Sequence, residues 1–327
     1  MNTIQYGIAT LLVVLTVAFI GFDLAGEPVD EPEVPVEVVV TPTTTLVDEE
    51  VRPEEKIFLL PLDRYIDTEQ IQSQAVLVQY RDADGDHDLY TLEADVERPL
   101  ASLTKTMTAV TALQYADIVD QVTVTIDAIA QEGDHGLADG LRFPVEEAVS
   151  FMMQSSSNDM AYAVQESVSE ELIEARGAVV NVFVKEMNNQ ASLLGMENTF
   201  FIDAIGFDES ERLSGSYGTP YDMAKLLWHV TDLYPDIAAA SVRPKASYFI
   251  GDEQLNIENT NPILEDYEEI TFSKTGFTDL AGGNLTLVAD TPEGRVVIVL
   301  MGSTFNGRFA DARIILDGIQ EWSEYSF

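Results

Sequence analysis

Two short apolar runs, 75–80 (AVLVQY) and 88–92, flank the polar segment 81–87, and this predicts two strands joined by a turn. Helical spacing follows over 102–117, where Leu103, Met107, Val110 and Leu113 share one face. The same periodicity predicts helices at 145–153, 159–167, 171–194, 221–233 and 306–322. Late strands are expected at 246–250, 269–274, 284–289 and 295–301, the last two joined by the turn signal DTPEG at 290–294. A leading hairpin, a helical middle, antiparallel late strands and a closing helix describe an α+β fold whose early and late strands share one sheet. The apolar and aromatic positions Phe151, Met152, Met153 and Trp228 are assigned to the core.

The N-terminus has a different pattern. After a stub at 1–7, the apolar run 8–22, extended to 25 past Asp23, is just long enough to cross a bilayer core. No Lys or Arg precedes it and no A-x-A site follows, which favours an uncleaved transmembrane signal anchor at 8–25 over a cleaved signal peptide. Residues 26–56 carry Pro28, Pro32, Pro35, Pro42 and Pro53 and ten acidic side chains against Arg52 and Lys56. Prolines and like charges stiffen and extend such a chain, so it reads as a disordered linker to a globular domain at 57–327. That order predicts a single-pass membrane protein with its domain on the outer side, or a secreted one if the anchor is cleaved.

Charge narrows the choice of partners. The chain has 327 residues, 17 Lys and Arg and 57 Asp and Glu, hence a net charge of −40. A field this negative repels nucleic-acid backbones and anionic membrane surfaces. The hydrophobic share of 46 % still supports a folded core. Cysteine is absent, which removes disulfides, thiolate metal sites and Cys nucleophiles. Asp82, Asp84, Asp86, Asp88 and Glu93 mimic a calcium loop, but position six is His87 where the loop turn needs Gly, so a hairpin is expected. His87, His135 and His229 are scattered, and no metal or other cofactor is predicted.

Three short motifs carry chemistry. Ser102 and Lys105 (S-L-T-K) would lie one turn apart on a helix, where a neutral lysine can take the proton of a serine nucleophile. Burial near other cations favours that neutral form, and the helix N-terminus favours a developing oxyanion. Ser156 and Asn158 (S-S-N) offer a proton relay and an amide. Lys274, Thr275 and Gly276 (K-T-G) end an apolar strand, where a cation and a hydroxyl can bind a carboxylate beside a close backbone approach. Each motif alone reads as a helix cap or a strand end.

Together and in this order they resemble the active-site triplet of penicillin-recognising serine enzymes. The surrounding stretches RPLASLTKTMTAVTAL (98–113), SFMMQSSSNDMAYAV (150–164), MNNQASLLGMENTFFIDAIGFDE (187–209), GTPYDMAKLL (218–227), NTNPIL (259–264) and KTGFTDLAGGNLTLVA (274–289) are similar to the low-molecular-mass D-alanyl-D-alanine carboxypeptidases, serine peptidase family S11. The resemblance implies a β-lactamase/transpeptidase-like fold, an antiparallel five-stranded sheet flanked by helices. It implies Ser102 as nucleophile, Lys105 as proton acceptor and Ser156 as an aid to proton transfer to the leaving D-alanine. Asn158, Lys274, Thr275, Gly276 and Phe277 would bind substrate, with the backbone N–H groups of Ser102 and Phe277 as oxyanion hole. Lys274 would meet the substrate carboxylate, with Arg243 and Arg308 as further candidate cations. Peptidoglycan stem peptides are the implied substrates and β-lactams the implied covalent inhibitors. Two positions depart from the family pattern: Ser157 stands where Gly is common, and Phe277 where a polar, Tyr or His residue is frequent. Carboxypeptidase and endopeptidase differ only in the leaving group. A β-lactamase would need a deacylating Glu in an E-x-x-L-N type pattern, which is missing, and a non-catalytic wall-binding protein would not need all three motifs.

Overall fold

The computed structural model describes residues 61–133, 135–176, 181–250, 253–292 and 294–326. The predicted stub, anchor at 8–25 and linker at 26–56 lie outside them. Residues 55–327 make one compact unit, and among the described residues no helix is long and apolar enough to cross a membrane.

The centre is an antiparallel five-stranded sheet built from β1 (Ala75–Asp82), β2 (Gly85–Leu92), β5 (Ile270–Thr278), β6 (Gly282–Thr291) and β7 (Gly294–Ser303), in the order β5-β6-β7-β1-β2. Early and late strands meet as expected, β1 pairing β7 from Ala75↔Met301 to Arg81↔Arg295. Both faces of the sheet are covered, which is why β1 and β7 read as unbroken apolar runs. Ala75, Leu77, Val297, Val299 and Met301 face the helical block. Val76, Val78, Tyr80, Val296, Ile298 and Leu300 face the C-terminal helix α7 (Gly307–Ser326) through Phe309, Ala312, Ile315 and Trp322. This is the two-residue period of a strand divided between two cores.

The helical block holds α1 (Thr104–Tyr115), α2 (Val145–Ser155), α3 (Asn158–Arg176), α4 (Val182–Leu193), α5 (Pro220–Leu233) and α6 (Pro235–Ser241). Phe151, Met152, Met153 and Trp228 are buried in it as assigned. α1 is buried from Thr104 to Ala112 on all sides, so its core face is wider than the apolar stripe predicted.

Several boundaries differ from the sequence pattern. The β1–β2 turn is tighter than 81–87: Asp82 pairs with Gly85, whose φ is 129°, and Asp82 Oδ1 accepts the N–H groups of Asp84 and Gly85. The hairpin at the calcium-like segment forms, with Asp88 accepting from Gln79 and Asp86 bonding Arg81 within it. The helix predicted at 159–167 continues to Arg176, and the next starts only at Val182, after Asn181 in the left-handed region at φ 50°. Strand β3 (Lys245–Ile250) pairs with an unpredicted β4 (Glu253–Glu258), whose polar composition hid it.

Candidate active site

Ser102 sits in a single 3₁₀ turn, Ala101–Leu103, that leads into α1. The turn follows an unusual backbone, Ala101 at φ 50°. Neighbours from two distant segments, with the nearby Thr104, impose it. Asn284 on β6 is fully buried and donates to the Pro99 and Leu100 carbonyls at 2.9 and 3.0 Å, while its Oδ1 accepts Gly302 N–H at 2.9 Å. Gly276 on β5 lies so close that a Cβ there would stand 3.1 Å from the Ser102 nitrogen. Thr104 Oγ1 donates to the Ala101 carbonyl at 2.6 Å.

Lys105, on the first turn of α1, is 0 % exposed. Its Nζ lies 2.9 Å from Ser102 Oγ, 2.8 Å from Asn158 Oδ1 and 2.9 Å from the Ile205 carbonyl. Burial pulls its pKa down to about 7, against the opposing pull of Asp203. A neutral amine has two N–H donors and one lone pair. The two carbonyl oxygens can only accept, so they take the donors, and the lone pair is left facing the Ser102 hydroxyl.

Ser156 closes α2 in the left-handed conformation, φ 60° and ψ 28°. Ser157, the departure from Gly, is fully buried, and its Oγ accepts the Met160 N–H at 3.1 Å to cap α3. Asn158 Nδ2 donates to the Glu132 carbonyl at 2.7 Å, which turns its Oδ1 toward Lys105. Lys274 on β5 is 1 % exposed and donates to Ser156 Oγ at 2.8 Å and to the Thr275 carbonyl at 2.9 Å. Burial first, then the neighbouring cations Lys105 and Arg308, hold its pKa well below the ordinary lysine value.

Ser102, Ser156, Thr275, Gly276 and Phe277 line one cavity of about 380 Å³ with Thr260, Phe305 and Arg308. All eight residues singled out therefore converge: five line this cavity, Lys274 reaches its wall through Ser156, and Lys105 and Asn158 lie behind Ser102. A family model described as D-alanyl-D-alanine carboxypeptidase matches residues 64–304. The chain belongs to that family. Escherichia coli D-alanyl-D-alanine carboxypeptidase DacA is 32 % identical over 242 residues, 68 % of this chain and 55 % of DacA. A D-alanyl-D-alanine endopeptidase of the same organism is 28 % identical over 68 % of this chain and 70 % of its own. The chain thus spans little more than half the length of DacA. Among solved structures, the ampicillin-bound penicillin-binding protein D2 of Listeria monocytogenes is 26 % identical, with a TM-score of 0.61 over 76 % of this chain and 98 % of that one. The Streptomyces K15 DD-transpeptidase, at 23 % identity and a TM-score of 0.65, shares the fold.

Of the two further cations weighed for this carboxypeptidase-family site, Arg308 is there and Arg243 is not. Arg308 lies on α7, is buried, and donates to the Gly276 carbonyl. Burial lowers its pKa only to about 10, so it stays charged at neutral pH. Arg243 is exposed and outside the cavity lining. Phe277 is 45 % exposed and meets Phe305 edge-to-face at 5.1 Å, and the Arg308 guanidinium lies 4.7 Å from the Phe305 ring. Four contributors were not assigned from sequence: the Ile205 carbonyl, Asn284, Phe305 and Thr260, whose Oγ1 is 2.6 Å from Thr275 Oγ1. Thr260 lies within the NTNPIL stretch and Asn284 follows the K-T-G strand, so both had a family signal without a role. A backbone carbonyl has no sequence signal.

Proposed function

We propose that the protein is a serine-type D-alanyl-D-alanine carboxypeptidase that removes the terminal D-alanine from peptidoglycan stem peptides. The observation that carries this reading is the wholly buried Lys105 amine, 2.9 Å from the Ser102 hydroxyl with its donors committed elsewhere. Ser102 Oγ attacks the carbonyl carbon of the penultimate D-alanine, and its proton passes to Lys105 Nζ. The oxyanion is stabilised by the backbone N–H groups of Ser102 and Phe277. The C–N bond then breaks, and the departing amine takes the proton held on Lys105, relayed through Ser156, which Lys274 contacts at 2.8 Å. Water attacks the ester, returns a proton to Ser102 by way of Lys105, and frees the shortened peptide. Arg308, Lys274 and the Thr260–Thr275 hydroxyl pair meet the C-terminal carboxylate. A carboxylate arriving beside Lys274 favours its ammonium form, so substrate binding restores the charge that burial removes.

β-Lactams acylate the same serine in this reading, in keeping with the ampicillin-bound relative. The apolar run and acidic linker before residue 57 support an anchor at 8–25, with the domain on the outer side of a bacterial membrane. The endopeptidase relative, whose own length this chain covers more fully than DacA's, favours one second reading, cleavage of a cross-link between stem peptides.

The test is to incubate the full chain and its Ser102→Ala variant with labelled penicillin, a D-Ala-D-Ala pentapeptide and a cross-linked muropeptide. Wild type is expected to carry the label and release D-alanine from the pentapeptide, and the variant to do neither. Cleavage of the cross-linked substrate alone selects the endopeptidase, and an unlabelled wild type removes both readings.

A further inference from the structure

The loop facing Lys105 is built around one carboxylate. Asp203 Oδ1 accepts the backbone N–H groups of Ile205 at 2.7 Å and of Gly206 at 2.5 Å. The turn this creates points the Ile205 carbonyl at Lys105 Nζ. It is pressed against the segment that carries the nucleophile: a Cβ at Gly206, which has φ 81°, would overlap the Ala101 carbonyl and Thr104 Oγ1. Behind the turn, the N–H groups of Ile202 and Asp203 donate to the Gly215 carbonyl, and a Cβ at Gly215 would overlap Asp203 Oδ2. The carboxylate is thus held between two close backbone approaches, and moving it moves the acceptor that orients the amine.

We propose that Asp203 is a positioning residue for the general base: its carboxylate holds the 205–206 turn that aims the Ile205 carbonyl at Lys105, and it sets a negative charge behind that amine. This rests on the reading of Ser102 and Lys105 as nucleophile and base.

The surroundings of Lys105 make Asp203 distinctive. α1 carries no other charged residue. Lys274 from β5 and Arg308 from α7 are basic groups, and neither brings a negative charge. From α3 comes the neutral Asn158, followed by Asp159. Glu186 on α4 bonds Tyr115 at the far end of α1, and Asp222 on α5 bonds Asn198, Thr199 and Lys225. Asp203 is the neighbour that pulls the Lys105 pKa upward. Glu209 hydrogen-bonds Asp203, and burial together with that negative neighbour raises its carboxyl above the usual range. Asp203 therefore limits how far burial neutralises the base while fixing where its donors point.

Two substitutions separate the two effects. Asparagine keeps an Oδ1 acceptor for the turn and removes the charge, whereas alanine removes both. The measurement is the acylation rate of the full chain by a fluorescent penicillin from pH 5.5 to 9, with thermal unfolding of each variant alongside. Asp203→Asn is expected to keep the wild-type plateau and to move the acid limb to lower pH, so that it acylates faster than wild type at pH 6. Asp203→Ala is expected to lose about ten- to a hundredfold of the plateau rate, as small misplacements of catalytic groups do. A folded Asp203→Asn with the wild-type acid limb, or a folded Asp203→Ala with the wild-type plateau, would overturn the proposal. A structural role alone would lower the unfolding temperature and leave the pH profile in place. A wild type that is never acylated would instead remove the reading on which the proposal rests.

Discussion

Lys105 shows how burial lowers the pKa of an ordinarily charged side chain toward that of a base. Its pKa of about 7 means that the neutral fraction grows as pH rises through neutrality. Only the neutral amine can accept the Ser102 proton, so acylation by penicillin should rise about tenfold per unit below pH 7 and level off above it. Stopped-flow acylation across that range checks this, and a flat profile would show that another group takes the proton. The serine–lysine and serine–asparagine pairs could be read from sequence because their members lie three and two positions apart. Arg308 stands out in the sequence as a cation without a position, since its approach to Gly276 joins segments 32 residues apart. The left-handed Ala101 and Ser156 carry no sequence mark at all, because tertiary contacts and not their own side chains hold them there. Gly206→Ala is expected to destabilise the fold by about 3 kcal/mol or more, since its Cβ would meet backbone rather than a yielding side chain. Urea unfolding measures the loss, and a wild-type midpoint would show that the 203–206 turn can move.

Among the elements, β5, β6 and the 3₁₀ turn of Ser102 act as one unit. Asn284 ties them by satisfying two carbonyls and one N–H in a dry interior. Asn284→Ala leaves those groups without partners and should cost about 2 kcal/mol or more. The same variant should slow acylation while leaving the far side of the sheet intact, which hydrogen exchange of β1 and β2 amides can test alongside labelling. Protection lost equally in every strand would mean that Asn284 supports the whole sheet and not this junction. Most of these elements were legible because strand and helix periods are local. The exceptions have physical causes. Nothing between 167 and 171 is strong enough to stop α3, so propensity there misplaced the break between two helices. β4 alternates polar with apolar residues weakly, and its pairing with β3 forms it rather than its own preference.

For the molecule as a whole, the charge of −40 must be reconciled with the anionic substrate proposed for it. Distant surface carboxylates repel an incoming penicillin, while Arg308 attracts it from within a cavity of low dielectric. Salt screens the first effect far more than the second. Acylation at low penicillin concentration should therefore speed up as sodium chloride rises from about 0.01 to 0.15 M, where the screening length falls from roughly 30 to 8 Å. A rate that falls with salt would mean that local attraction governs the encounter. The chain ends of the domain are also joined by charge: fully buried Asp311 on α7 accepts from Gln72 and Ser73 backbone N–H groups and from the Ser73 and Ser303 hydroxyls.

By itself the sequence determined the order of strands and helices, the α+β class and the family, because local periods and short motif spacings are written along the chain. Whether an amine at position 105 is neutral was decided only by folding. Its partners Asn158 and Ile205 lie 53 and 100 residues away, and exclusion of water is a property of the packed neighbours rather than of the lysine they enclose.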